Sequence, residues 1–189
     1  MTDVSAIVSG WTSSEKAEAL RLILGKFPVP QEVFEAYCGT TITAPMEFFI
    51  INAAMTRILL WRRPQSDPFF GGQWHFSGGL MLPGFAPGDV WPQLRTSKKY
   101  GLANVSFLNP IEIGVADVPK GPQAEGKCPR SQERPILHVV VHKAGDPAGD
   151  DWAWFPLDAL PLEGPGRLLG HHQHHIRDTL MPWIATQNK

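Results

Sequence analysis

The stretch that decides the fold runs from Gly78 to Leu102 and reads GGLMLPGFAPGDVWPQLRTSKKYGL. It begins with two glycines, passes through a Pro/Gly-containing loop, and predicts a helix over Val90 to Tyr100. Asp89 is a suitable N-cap for this helix, and Gly101 is a suitable C-terminal stop. Asp89 is the only acidic residue of this stretch, whereas Arg95, Lys98 and Lys99 are basic.

Length and composition predict an ordinary globular protein. The chain has 189 residues, of which 43% are hydrophobic and 19% are charged, so it is long enough to bury a core. Its formal net charge of -1 argues against partners such as nucleic acid or a membrane surface. The N-terminus lacks a signal-peptide pattern, and the longest apolar run, near Phe48 to Met55, is too short to span a bilayer. We therefore expect a cytoplasmic location.

The order of predicted elements indicates two parts. Residues 1–44 are expected to form a helical N-terminal extension, which begins at a capping box over Thr12 to Glu15. Residues 45–189 alternate strands and helices, which predicts an α/β or α+β domain. Residues 116–135 form a Pro/Gly-rich loop, and loops of that length usually have a function or real mobility. The tail from Leu168 onward is predicted to be helical, with an interruption near Pro182.

Several short patterns occur together around the opening stretch. They are Arg62-Arg63-Pro64, the segment Pro68 to Trp74, Gly78-Gly79, Arg95, Gly101-Leu102, the strand from His138 to Val141, and the segment Trp152 to Pro161. In this combination the chain resembles the Nudix hydrolase superfamily over roughly residues 45–185. The resemblance implies an α/β/α sandwich with a mixed sheet, and a ligand linked to a nucleoside diphosphate. It also implies a box turn that uses Gly78, Gly79 and Gly101.

The family's box, G-x5-E-x7-R-E-U-x-E-E-x-G-U, holds divalent metal with glutamates, because hard Mg²⁺ prefers carboxylate oxygens. Counting forward from Gly79, its loop glutamate falls on Phe85. Counting backward from Gly101, two ligand positions fall on Arg95 and Lys99, and the remaining glutamate falls on Lys98. If Arg95 and Lys99 share a helix face, they repel a metal and instead suit a phosphate.

Two alternatives remain open at the box. Arg63, Arg95 and Lys99 are candidates for binding phosphate directly, or the box cations are simply solvated surface residues. A metal site, for Mg²⁺ or Mn²⁺, is expected only if other carboxylates assemble in three dimensions. Those weak catalytic candidates are Asp89, Glu112, Asp150 and Asp151.

Within the superfamily, the spacing around Arg63 and Trp74 is similar to the GDP-mannose mannosyl hydrolase branch. That branch uses a histidine as base, placed before an Asp-Asp pair. Here Gly149 precedes Asp150 and Asp151, so the matching histidine is absent. The resemblance therefore implies either a nucleotide-sugar hydrolase with a non-standard site, or a catalytically inactive module that binds a nucleotide-type ligand or has a regulatory role. A homodimer is possible for either.

A histidine cluster near the C-terminus is the last candidate. His171 and His175 are four residues apart, a spacing that brings two side chains together on one helix face. They are weak candidates for a metal site, and a polar helix face is the alternative.

Overall fold

In the computed structural model, residues 9–24, 30–80 and 86–187 are described. The chain divides into two compact units, Met1–Thr40 and Thr41–Lys189. From the sequence we placed this division at residues 44 and 45. The first unit contains α1 (Ser13–Leu24) and α2 (Gln31–Thr40). The predicted capping box is confirmed, because Thr12 N donates to Glu15 Oε2 at 2.7 Å and Glu15 N donates to Thr12 Oγ1 at 3.2 Å.

The second unit is built on a mixed sheet with the strand order β10-β3-β2-β9-β6. β2 and β9 are parallel, and the other pairs of this sheet are antiparallel. β4 pairs with β3, β5 pairs with β2, and β7 pairs with β9. The strands among the described residues of this unit are β1 (Ile42–Thr43), β2 (Pro45–Ile51), β3 (Arg57–Arg62), β4 (Trp74–His75), β5 (Ser77–Leu80), β6 (Ser106–Phe107), β7 (Ile111–Val115), β8 (Gln132–Glu133), β9 (Ile136–Ala144) and β10 (Trp152–Pro156). β1 and β8 form a separate parallel pair.

The sheet has a helix layer on each face, which confirms the predicted α/β/α sandwich. Every residue of β2 is buried, as expected for a central strand with both faces covered. Phe48 belongs to a core that includes Trp91 and Leu94 of α3 (Pro87–Thr96). Phe49, on the opposite face, belongs to a core that includes Ile176 and other residues of the C-terminal helix.

Helix α3 differs at both ends from the helix predicted over residues 90–100. Asp89 accepts a hydrogen bond from Ala86 N at 2.9 Å, so the helix begins at Pro87 and Asp89 lies in its first turn rather than at its N-cap. The helix ends at Thr96, because Ser97 adopts an extended conformation with ψ 126°. Lys98 and Lys99 therefore lie in the turn that follows the helix.

The C-terminal helix has an irregular centre. It consists of α4 (Gly170–His175), a π-helical segment (Ile176–Leu180) and α5 (Met181–Gln187). Pro182 has no amide hydrogen and its ring disfavours a regular turn before it, which agrees with the predicted interruption. The π-helical hydrogen bond lies just before Pro182, where Met181 N donates to the carbonyl of Ile176, five residues earlier.

The long segment 116–135 is a packed part of the fold. It contains a short 3₁₀ turn (Gln123–Glu125), and it buries Val118, Cys128, Ser131 and Glu133. No helix in the part of the chain described is long and apolar enough to cross a membrane.

Candidate functional site

The site lies where the middle of the sheet opens. β2 and β3 pair directly only through Ile50 with Leu59 and Ile51 with Ile58. Beyond this point β4 pairs with Trp61 and Arg62 of β3, whereas β5 pairs with residues 45–48 of β2. The chain segment 74–80 therefore bridges the opening, and it carries His75 and the paired glycines into it.

The paired glycines lie in a strand, so their assignment to a turn is wrong. Gly78 pairs with Glu47, and a Cβ at Gly78 would lie 2.9 Å from Met46 O. Such a contact is too close for a side chain, so the strand needs glycine at this position. Tyr100 donates its hydroxyl to Gly78 O at 3.0 Å, which ties the end of the opening stretch to its beginning.

Gly101 does lie in a turn. Its φ is +60°, in the left-handed region that favours glycine, and a Cβ there would lie 2.6 Å from Ala148 O. Ala148 N in turn donates to Gly101 O at 2.9 Å. The turn directs Lys99 and Tyr100 towards the opening in the sheet.

Arg95 and Lys99 do not share a helix face as we predicted, because α3 ends between them. Arg95 donates to Val105 O at 3.2 Å, and its guanidinium carbon lies 5.6 Å from the centre of the Phe107 ring. Lys99 turns the other way, with Nζ 5.0 Å from the ring centres of both Trp61 and Tyr100. Arg95 is thus held by contacts within the protein, whereas Lys99 faces the candidate site.

Lys99 interacts electrostatically with two other cations, Arg63 and Arg130. Burial of its ammonium lowers the pKa of Lys99, the positive charges of Arg63 and Arg130 lower it further, and the negative charge of Asp67 opposes them. Arg63 and Arg130 contact the same ring, with guanidinium carbons 5.1 and 5.8 Å from the centre of Phe70. Both arginine side chains are partly open to solvent, with exposures of 17% and 16%.

Two carboxylates orient the arginines. Arg63 pairs with Asp67, whose other oxygen accepts hydrogen bonds from Phe69 N and Phe70 N. Burial alone would raise the pKa of Asp67, but the charge of Arg63 and these hydrogen bonds lower it below its ordinary value. Arg130 pairs with the buried Glu133 at 2.8 Å. Three basic side chains, those of Arg63, Lys99 and Arg130, thus lie near two acidic ones, those of Asp67 and Glu133.

The structure does not bring the candidate carboxylates into a common group. Asp89 is exposed in the first turn of α3, Glu112 is exposed on β7, and Asp150 and Asp151 are exposed before β10. Within the described ranges, none of them belongs to a set of three metal-ligating side chains. Phe85 lies outside the described residues. With Arg95, Lys98 and Lys99 at the other box positions, the described box residues do not fit a divalent metal ion.

Glu112 does line a separate pocket of about 370 Å³ at the N-terminal end of α3. Its walls include Phe48, Trp91 and His138, and Glu112 lies opposite His138 in the register of β7 and β9. Burial lowers the pKa of His138, partly offset by its contact with Ile136 O and by the charge of Glu112. This pocket is mainly apolar.

A second polar cluster surrounds Glu47, a residue that we did not predict as part of a site. Glu47 is buried in β2 and accepts from two histidines, with 3.1 Å between Oε1 and His172 Nε2 and 3.0 Å between Oε2 and His175 Nδ1. Burial would raise the pKa of Glu47, but His172 and His175 hold it well below its ordinary range. A single charged residue within the apolar run PMEFFII was the signal for it.

His171 and His75 complete this cluster, and both are also buried. The ring centres of His171 and His175 are 5.9 Å apart, and those of His75 and His172 are 6.1 Å apart. Burial and nearby positive charge lower the pKa values of His75 and His171 well below the ordinary value, which favours their neutral forms. One ligand atom each of Glu47, His171 and His172 lie within 4.8 Å of one another.

Solved structures similar to this one include Nudix hydrolases. A MutT Nudix hydrolase from Burkholderia pseudomallei has a TM-score of 0.50 and 18% identity, over 72% of this chain and 97% of that one. The fold is of the Nudix type. A possible asymmetric diadenosine tetraphosphate hydrolase from Jonesia denitrificans has a TM-score of 0.51 and 12% identity, over 72% of this chain and 91% of that one. A protein from Deinococcus radiodurans has a TM-score of 0.51 and 13% identity, over 72% of this chain and 82% of that one. No protein-family profile matches the sequence, and no curated protein matches it.

Proposed function

We propose that this Nudix-fold protein binds a small nucleoside-diphosphate-type ligand through Arg63, Lys99 and Arg130, without a metal ion at the box positions. The observation that carries the proposal is the contact of both arginines with one ring, beside an exposed Lys99 that interacts electrostatically with them. Arg63 and Arg130 both contact the Phe70 ring while each is paired with a carboxylate. The Lys99 ammonium contacts the rings of Trp61 and Tyr100.

The energetics of the site favour an anionic ligand. Placing three cations together costs Coulomb energy, which two carboxylates offset only in part. An incoming diphosphate relieves the remaining repulsion and accepts charge-assisted hydrogen bonds from guanidinium and ammonium groups. Because Phe70 holds both arginine side chains, little side-chain entropy is lost when the ligand binds.

The Nudix-type fold supports diphosphate compounds as the ligand class, and the site favours binding over hydrolysis. Hydrolysis in this chemistry uses a metal ion that polarises the phosphate and activates water. The described carboxylates do not form a group that would hold such an ion near the box. A binding or regulatory module is therefore the function that we favour, with a nucleotide or nucleotide sugar as its ligand.

The test is thermal stabilisation by inorganic pyrophosphate, ADP and GDP-mannose in buffer with EDTA. A ligand at 100 times its Kd adds about 2.7 kcal/mol to the free energy of unfolding, which raises Tm by roughly 5–11 °C for a chain of this size. We expect Lys99→Glu to abolish the shift. Lys98→Glu is the matched control, since Lys98 is its exposed neighbour and makes the same change in charge.

Absence of stabilisation by all three compounds, or equal loss in both variants, would refute the proposed site. A second arm adds Mg²⁺ or Mn²⁺ and measures release of phosphate or sugar from the same compounds. Metal-dependent turnover would show that the protein is a hydrolase and that the interpretation as an inactive module is wrong.

A further inference from the structure

We propose a second site, centred on the buried Glu47, at which Glu47, His171 and His175 bind a divalent transition-metal ion of the zinc or iron class. This inference does not rest on the proposed diphosphate site, although the two adjoin: the Phe70 ring that Arg63 and Arg130 contact lies 6.1 Å from the His171 ring. Four of the seven histidines in the chain gather around Glu47, and all four are buried. Imidazole and carboxylate together form a ligand set that suits such metals rather than Mg²⁺.

The hydrogen bonds separate the ligands from the supporting residue. His172 Nδ1 accepts from Phe76 N at 3.3 Å, so its proton lies on Nε2 and is donated to Glu47 Oε1 at 3.1 Å. Both nitrogens of His172 are therefore used, and this histidine orients the carboxylate. Carboxylate ligands in metal sites are commonly held in this way by a second residue.

The other two histidines also lie beside the carboxylate. His175 Nδ1 lies 3.0 Å from Glu47 Oε2 and donates a hydrogen bond to it, so metal binding at this nitrogen requires release of its proton. His171 Nδ1 is buried and, among the described residues, has no hydrogen-bond partner. The ring centres of His171 and His175 are 5.9 Å apart, compared with roughly 5–5.5 Å expected for two imidazoles on one tetrahedral ion. Among the described residues only Glu47, His171 and His172 have ligand atoms within 4.8 Å of one another, so metal binding by the proposed set requires the His175 ring to turn towards His171.

An entry path leads to these ligands. A cleft of about 240 Å³ between the 116–127 segment and the C-terminal helix is lined by His171 and His175. Its walls also include Asp117, Glu125 and Asp178, which pair with Arg134, Lys127 and Arg177 respectively. The π-helical segment borders the cleft at Asp178 and Thr179, and π-turns in helices occur frequently at functional sites.

The experiment measures metal binding by protein that has been stripped with a chelator and then dialysed. Co²⁺ is followed by its visible absorption, Zn²⁺ by competition, and bound zinc is counted by elemental analysis. We expect one ion per chain, displacement of Co²⁺ by Zn²⁺, and no displacement by millimolar Mg²⁺. His171→Gln and His175→Gln are each expected to weaken Zn²⁺ binding by more than 100-fold, since losing even a supporting residue costs about 10–100-fold.

His174→Gln is the matched control, because His174 lies on the same helix and lines the same cleft but is exposed. It should bind Zn²⁺ as the wild type does. Equal loss in His174→Gln and His171→Gln would show adventitious surface binding and overturn the proposal. Wild-type protein that binds less than half an ion per chain at saturating Zn²⁺ would also overturn it, whether or not the variants fold.

Discussion

Replacing Gly101 by alanine tests the turn that places Lys99 in the site. Gly101 has φ +60°, and this left-handed conformation costs an L-residue such as alanine about 1–2 kcal/mol. The added Cβ would lie 2.6 Å from Ala148 O and 3.1 Å from Ala148 Cβ, so the backbone has to move. Overpacking of this kind costs about 1–3 kcal/mol. We therefore expect Gly101→Ala to lower the free energy of unfolding by about 2–5 kcal/mol.

For a domain of this size, such a loss lowers Tm by roughly 4–20 °C. Circular-dichroism melts measure the shift, and tryptophan fluorescence follows the same region, because Trp152 Nε1 donates to Tyr100 O at 2.8 Å. Gly79→Ala is the control, since its Cβ would make only an ordinary contact of 3.6 Å with Val90 Cγ1. If Gly101→Ala melts within about 2 °C of Gly79→Ala, the assigned strain is wrong.

Two further predictions follow from shifted pKa values. Burial and the charge of Glu133 raise the pKa of Cys128 to about 11. In a Cys38→Ser background, the Cys128 thiol should therefore resist an aromatic disulfide reagent at pH 8 and react fully in denaturant. Rapid reaction of the native protein would contradict this prediction. Ligand affinity should fall as pH rises from the lowered pKa of free Lys99 towards its ordinary 10.5, because a bound anion favours the protonated ammonium and deprotonation removes it. Isothermal titration with pyrophosphate in EDTA measures this dependence, and an unchanged affinity at high pH would show that Lys99 does not contact the anion.

Local patterns predicted the layers of the fold, because each rests on neighbouring residues. The Thr12–Glu15 capping box and the apolar run of β2 were sufficient for their elements. The end of α3 was not predictable in this way. Ser97 and Lys98 have no strong stop signal, and the helix ends where Tyr100 reaches back to Gly78 O through a tertiary contact. That contact decides which direction Lys99 faces.

The candidate sites depended on contacts that sequence spacing does not contain. Arg130 lies in the 116–135 segment, and nothing in its neighbours indicated that it meets Arg63 across the ring of Phe70. In the sequence, Glu47 is distinguished only as a single charged residue within an apolar strand. Its partners, His172 and His175, follow it by more than a hundred residues. The short spacing of the histidines therefore predicts a histidine cluster but not the carboxylate that they contact.

The replacement of carboxylates by cations at the box separates binding from catalysis on physical grounds. A divalent metal offers two effects to a diphosphate, positive charge and activation of coordinated water. In the site that we propose, Lys99 with Arg63 and Arg130 supplies the first effect. An ammonium or guanidinium has no vacant coordination position, so it does not lower the pKa of water in the way that a metal ion does. The proposed site therefore predicts binding of phosphate without turnover, because its cations attract the anion but do not activate water.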